Sequence, residues 1–257
     1  MLLVLVALVA FVAAIMTFFS GFGLGTILTP FFCLFFSVQE AIALTAIVHF
    51  SNNLFKFSLL RKFIAYNVAL PFALTAVLMS FAGAELLDFL SFHDYKYSYD
   101  FLGITSVITP VKVVVALLMI VFVIVELIPE WNFNIKGRIS YLIGGMFSGF
   151  FGGLSGNQGA LRSMFLLKAG LSKESYIATG VLIACLVDIS RLSVYTQNWS
   201  ALNLNAQINL MTVAVVAALS GSLLGKKYIQ KITIKSMQTL IIVFLSCIAA
   251  LLGAGIL

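Results

Sequence analysis

Apolar residues run through this chain in blocks of about twenty, each closed by a short cluster of charged, glycine or proline residues. Eight such blocks are readable, at residues 2–19, 40–60, 66–87, 106–128, 138–154, 174–196, 206–225 and 236–257. A helix of about 20 apolar residues crosses the hydrocarbon core of a bilayer. In lipid every backbone N–H and C=O must bond within the protein, so a spanning chain is helical or a closed barrel. The runs are continuous rather than alternating, which predicts helices. The first block lacks a basic leader and continues past any small-residue cleavage site, so it reads as a retained helix, not a signal peptide. Two further apolar pieces, near 27–37 and 159–170, each follow a glycine-rich break and are too short to span alone. The longest polar stretch, Ser91 to Asp100, holds His93, Asp94, Lys96 and several aromatic rings. It is expected to form an interfacial loop.

The pattern then repeats. Ser20-Gly21-Phe22 opens the first break and Ser148-Gly149-Phe150 the second. Ser37-Val38-Gln39-Glu40 precedes a helix with Ala43-Leu44-Thr45, and Leu171-Ser172-Lys173-Glu174 precedes one with Ile177-Ala178-Thr179. The third helices end near Ser80 to Gly83 and at Ser220-Gly221. The fourth begin with Ile108-Thr109 plus Lys112, and with Ile232-Thr233 plus Lys235. The chain thus divides into a four-helix repeat over 1–129 and another over 130–257, together one transmembrane domain. Such paired units in transporters place the substrate near the bilayer midplane between them. Four full spans per repeat put both termini on one side of the membrane. The basic stretch 226–235 leans toward termini outside, against Arg61, Lys62, Lys136 and Arg138 on the other side.

Composition fixes the class. Of 257 residues, 62% are hydrophobic and 9% charged, and the mean hydropathy is +1.13. Soluble domains carry about 25% charged residues, so a water-facing surface is excluded. The net charge of +6 lies mostly in short segments between apolar runs, which fits contact with an anionic lipid leaflet rather than nucleic acid. Cys33, Cys185 and Cys247 sit in apolar segments without CxxC spacing, as small hydrophobes. No cofactor, haem or metal site is indicated. The oligomeric state is not encoded legibly, and a homo-oligomer stays open.

The candidate chemistry lies at the breaks and at polar residues of membrane depth. Ser20-Gly-Phe-Gly-Leu-Gly25 with Pro30, and Gly149 to Gly159, cannot hold stable helix on propensity. Unwound backbone there is tolerated where protein buries it or a cavity meets it, and a helix starting from a break aims free N–H groups at an anion. The competing reading is a small-residue packing seam. His49, Asn53 and Lys56 share one helix face, and Lys56 is expected to snorkel toward the interface near Arg61. Asp188 and Arg191 are spaced to pair on their own helix; Arg162 follows the second break and suits a two-pronged oxyanion. Glu40 and Glu174 read as first-turn acids behind the N-caps Ser37 and Ser172. The candidate substrate-binding set is Gly21, Gly23, Gly25, Asn52, Asn53, Ser155, Gly156, Asn157, Gln158, Arg162, Asp188 and Arg191.

Other classes compete. Gly153-Leu-Ser155-Gly156 matches the GxSG pattern of intramembrane serine proteases, yet no histidine follows Ser155. A cation carrier is disfavoured because bases outnumber the midplane acids Asp188 and Glu126; a channel depends on pore geometry that sequence does not show.

With these residues in view, the chain resembles the sulfite exporter TauE/SafE family over nearly its whole length. The most telling pieces are Gly153-Leu-Ser-Gly-Asn-Gln-Gly-Ala-Leu-Arg162 and Ile177-Ala-Thr-Gly180. The first break reads Gly-Phe-Gly-Leu-Gly, where the family often has a denser glycine run. The resemblance implies transport of sulfite, organosulfonates or related small anions, without catalysis. The expected location is a bacterial cytoplasmic (inner) membrane.

Overall fold

Helices occupy each apolar block. The structure, a computed structural model, describes residues 1–18, 23–92, 95–101, 104–127, 137–198, 202, 204–228 and 234–257. In chain order the helices are α1 (Leu2–Thr17), α2 (Leu24–Cys33), α3 (Val38–Leu60), α4 (Tyr66–Phe92), α5 (Pro110–Leu127), α6 (Arg138–Ser155), α7 (Gly159–Leu166), α8 (Lys173–Tyr195), α9 (Ile208–Tyr228) and α10 (Ile234–Gly253). By length and composition, Tyr66–Ser91, Lys173–Tyr195 and Leu204–Gly225 can each cross a membrane; Leu2–Thr17, Leu24–Cys33, Pro110–Val125 and Ile241–Gly253 are apolar but shorter. Along α4 the exposed residues include Leu70, Leu74 and Leu78, more than 60% accessible and one turn apart. A stripe of bare leucine suits lipid, whereas water would penalise it.

Local chemistry sets the helix starts. Ser37 caps α3 in a capping box: its hydroxyl takes the Glu40 N–H, and its own N–H donates to Glu40 Oε2 at 3.0 Å. Ser172 caps α8 by accepting from the Ser175 N–H at 3.2 Å. Both acids therefore lie in first turns, where the helix dipole favours them.

Helix α3 packs on α2, α8 and α9, and α8 packs on α3 and α4. Helix α6 runs along α4, α1 runs along α9, and α10 pairs with α5. At the glycines of this seam no side chain fits between α4 and α6. A Cβ at Gly145, Gly149 or Gly153 would collide with the carbonyl oxygens of Phe72, Ala76 and Ser80 in turn, and one at Gly83 with that of Phe150. Thr75 clips the seam by donating to the Leu142 carbonyl at 2.8 Å. Gly221 of α9 meets the Phe11 carbonyl of α1 in the same manner. This close approach is how membrane helices gain packing without a hydrophobic drive.

The seam corrects one expectation. The whole of 149–159 was expected to unwind, but α6 stays helical through Ser155 and breaks only at 156–158. Packing against α4 offsets the poor helix propensity of these glycines. Gly149→Leu is accordingly expected to force the helices apart and cost at least the roughly 1–3 kcal/mol typical of overpacking. Thermal unfolding of the purified variant in detergent checks this, and an unchanged midpoint would contradict the seam.

A second difference lies before α5. Of the expected loop, Ser91 remains in α4 and Tyr97–Phe101 pairs antiparallel with Ile104–Ile108 as a two-stranded hairpin; His93 and Asp94 lie outside the described residues. The C-terminal end docks on this hairpin: the Val107 N–H donates to the Gly255 carbonyl at 2.9 Å, and the Tyr99 hydroxyl to the Ala254 carbonyl at 2.6 Å. Tyr95 and Tyr97 are exposed, as suits rings at headgroup level.

Candidate functional site

Two helix breaks meet in the interior. Gly23, with φ 108°, is the N-cap of α2, a backbone state glycine adopts without a Cβ clash. Gly156, with φ 78°, ends α6, and α7 restarts three residues later behind Gln158. A Cβ built on Gly25 would sit 3.0 Å from the Gly156 carbonyl oxygen and 3.8 Å from Thr45 and His49 of α3. One built on Gly156 would lie 3.1 Å from Arg191 Nη1 and 3.2 Å from Thr29 Oγ1. Glycine is what lets α2, α3, α8 and the second break converge. Gly21 lies outside the described residues.

Around this point polar side chains form one buried network centred on Asp188. The His49 Nδ1–H of α3 donates to Asp188 Oδ2 at 2.7 Å, joining α3 to α8. Asp188 Oδ1 accepts from Arg191 Nε at 3.0 Å and Gln158 Nε2 at 3.1 Å, with Arg191 Nη2 at 2.7 Å. The pairing expected of Asp188 and Arg191 is thus present, and both are fully buried. Arg191 also donates through Nη1 to the Gly152 carbonyl at 3.3 Å, and the Tyr195 hydroxyl donates to the Gly153 carbonyl. These bonds fall on carbonyls at the negative end of α6, where the Gly152 carbonyl also accepts the Gly156 N–H. Arg162, four residues into α7 and 2% exposed, donates to Gln158 Oε1 at 3.3 Å. Ser148 ties the break down by donating to the Gln158 carbonyl at 3.0 Å.

The remaining candidates fall around the same centre. The Asn53 amide nitrogen lies 3.2 Å from His49 Nε2. Asn52 accepts from Ser222 of α9 at 2.6 Å, while its amide nitrogen has no partner. Asn157 is 2% exposed with neither amide atom bonded, and the hydroxyls of Thr29 and Thr45 are equally unpartnered and buried. Buried polar groups without partners are uncommon and costly; Thr29 lies against Gly156 and Thr45 beside Gly25, where a polar ligand would satisfy them. Ser155 donates to the Phe151 carbonyl of its own helix at 2.9 Å and takes a bond from the Asn157 N–H. Among the described residues no histidine bonds it.

Two features escaped the sequence. His49 was placed on a face with Asn53 and Lys56, but its bridge to Asp188 is 139 residues away in sequence. Thr29 and Thr45 gave no signal beyond being threonines in apolar runs. Lys56 corrects an expectation: instead of snorkelling it is 4% exposed, its ammonium 5.1 Å from the centre of the Phe18 ring. The Phe18 ring, at the C-cap of α1, lies over the ammonium and covers it.

The described buried charges are therefore Lys56, Arg162, Arg191 and Asp188, an excess of cations over carboxylate. The model of a family described as Sulfite exporter TauE/SafE matches residues 6–252. No curated protein and no solved structure matches the chain.

Proposed function

The chain belongs to the sulfite exporter TauE/SafE family, a family of membrane transporters, and on that premise we propose that it carries a small oxyanion, such as sulfite or an organosulfonate, out of a bacterial cell across the inner membrane. The observation that carries this reading is the excess of buried positive charge, Lys56, Arg162 and Arg191 against Asp188, with Arg162 and Arg191 bonded at the second break. Burying a cation costs several kcal/mol unless something negative pairs with it. A transported anion can supply that pairing reversibly.

The anion would sit between α2 and α7, within reach of Arg162 and of the unpartnered amides and hydroxyls of Asn52, Asn157, Thr29 and Thr45. Residues 1–129 and 130–257 would act as two similar halves. This is supported by the order of elements: a long helix, a short one after a break, a serine-capped long helix and two more, then the same series. It is also supported by exchange of partners, since α1 packs on α9 as α6 packs on α4. Rocking the halves about the α3–α8 crossing would open the site to alternate sides. An inside-negative potential favours anion exit by about 2.3 kcal/mol per charge per 100 mV, so export needs no coupling ion.

Thermal unfolding of detergent-purified protein with sulfite, sulfoacetate, thiosulfate or sulfate tests this. A ligand at a hundred times its Kd raises stability by about 2.7 kcal/mol. A dose-dependent rise with at least one anion is expected, together with faster sulfite loss from vesicles holding the protein. A rise with cations and none with any anion would overturn the proposal.

A further inference from the structure

Asn157 sits in the second break, between Gly156 and the α7 N-cap Gln158, with its backbone N–H donated to Ser155 Oγ. Its side chain is buried, and neither its amide nitrogen nor its amide oxygen finds a partner among the described residues. We infer that Asn157 makes the site select an oxyanion that still carries a proton, such as hydrogensulfite, over its fully ionised form; this rests on the anion site proposed above and adds the protonation state of its occupant.

Donors and acceptors must match in a closed site. An amide offers N–H donors on one atom and an acceptor on the other, and turning it over exchanges the two without pairing either. A fully ionised oxyanion only accepts: it takes the Nδ2–H and sets a bare oxygen against Oδ1. An acid oxyanion meets both, giving its O–H to Oδ1 and taking the Nδ2–H on an ionised oxygen. Other amide and carboxylate oxygens of the network are already engaged: Asp188 by His49, Gln158 and Arg191, Gln158 Oε1 by Arg162, and Asn52 Oδ1 by Ser222. Donors for the ionised oxygens stand beside the break. Arg191 Nη1 lies 3.1 Å, and the unpartnered Thr29 Oγ1 3.2 Å, from where a Cβ of the preceding residue, Gly156, would stand. A second ionisation adds a charge for buried cations to attract, but that charge loses its water on entry, and the desolvation offsets the gain. The unmet Oδ1 then decides, because a site built to accept a substrate O–H rejects the analogue that lacks it.

Affinities for sulfite, selenite and sulfate, measured across neutral and mildly alkaline pH, provide the test. They are read from the thermal shift of the purified full chain over its anion-free midpoint at each pH. Selenite holds its last proton to a distinctly higher pH than sulfite, and sulfate carries none in this range. Sulfite affinity is expected to fall about tenfold per pH unit once its own proton leaves, and selenite affinity to fall only at higher pH. Sulfate is expected to bind at least about tenfold more weakly than protonated sulfite. Asn157→Leu is expected to lose the dependence on the ligand's proton, weakening the protonated form most. Because it removes two unmet polar atoms, it is also expected to unfold without anion no earlier than the wild type. Sulfite and selenite affinities that fall at the same pH would place the titrating group on the protein and overturn the inference. So would sulfate binding as tightly as sulfite, or an Asn157→Leu variant that keeps the wild-type pH profile. If that variant does not fold, the three wild-type profiles decide. Failure of every anion to bind at any pH would remove the anion site itself, and this inference with it.

Discussion

Asp188→Ala is expected to cost about 3–5 kcal/mol of stability, the range for removing one partner of a buried ion pair. Asp188 holds three groups at once: His49 from α3, Gln158 from the second break, and Arg191 one turn along its own helix. Truncation leaves a guanidinium with no exposure and no counter-charge, and cuts the polar bond between α3 and α8. The measurement is the thermal midpoint and the yield of monodisperse protein in detergent. Asp188→Asn keeps the shape and removes the charge, so it isolates the electrostatic part. Adding Arg191→Met to Asp188→Asn is expected to recover much of the loss, because two neutral groups need no pairing. If Asp188→Ala unfolds at the wild-type temperature, the network does not hold the halves together.

The helices were legible because lipid imposes one strong rule. Every spanning segment must be apolar and about 20 residues long, and punctuation between such runs is hard to miss. The positions of α3, α8 and their serine caps follow from local residues alone. Glycine was less informative, because one residue type serves two ends. At Gly145, Gly149 and Gly153 it lets α6 touch the α4 backbone, whereas at Gly156 it breaks the helix. Propensity cannot tell these apart, since the difference is made by a partner about 70 residues away. The hairpin did leave a signal: Tyr97-Ser-Tyr-Asp-Phe101 alternates in polarity and is separated from Ile104–Ile108 by two residues, one of them Gly103. Its aromatic content pointed to the interface, and a loop was expected there. The contacts that build the candidate site, His49 to Asp188 and Asn52 to Ser222, join residues 139 and 170 apart, beyond any local pattern. Composition could say that ionisable residues lay at membrane depth, but not which of them already had partners.

The two buried arginines are expected to answer differently to substitution. Arg162→Met is expected to weaken anion binding by about ten- to a hundredfold, from loss of a charge-assisted contact worth about 1.5–3 kcal/mol. Yet it is expected to leave the unliganded protein close to wild-type stability, unlike Asp188→Ala. The change removes a buried cation, whose desolvation opposes folding, and leaves Gln158 Oε1 without its donor, which costs about 1–3 kcal/mol. These contributions oppose one another. Arg162→Lys keeps the charge but not the two-pronged fork, so it should retain part of the affinity. The informative reading is the pair of numbers for each variant, midpoint without anion and shift with it. A Met variant that unfolds early even without anion would make Arg162 structural. One that binds as tightly as the wild type would leave Lys56 and the unpartnered amides to hold the anion. A near-normal midpoint with the anion shift gone is the outcome of a charge buried for its ligand rather than for the fold.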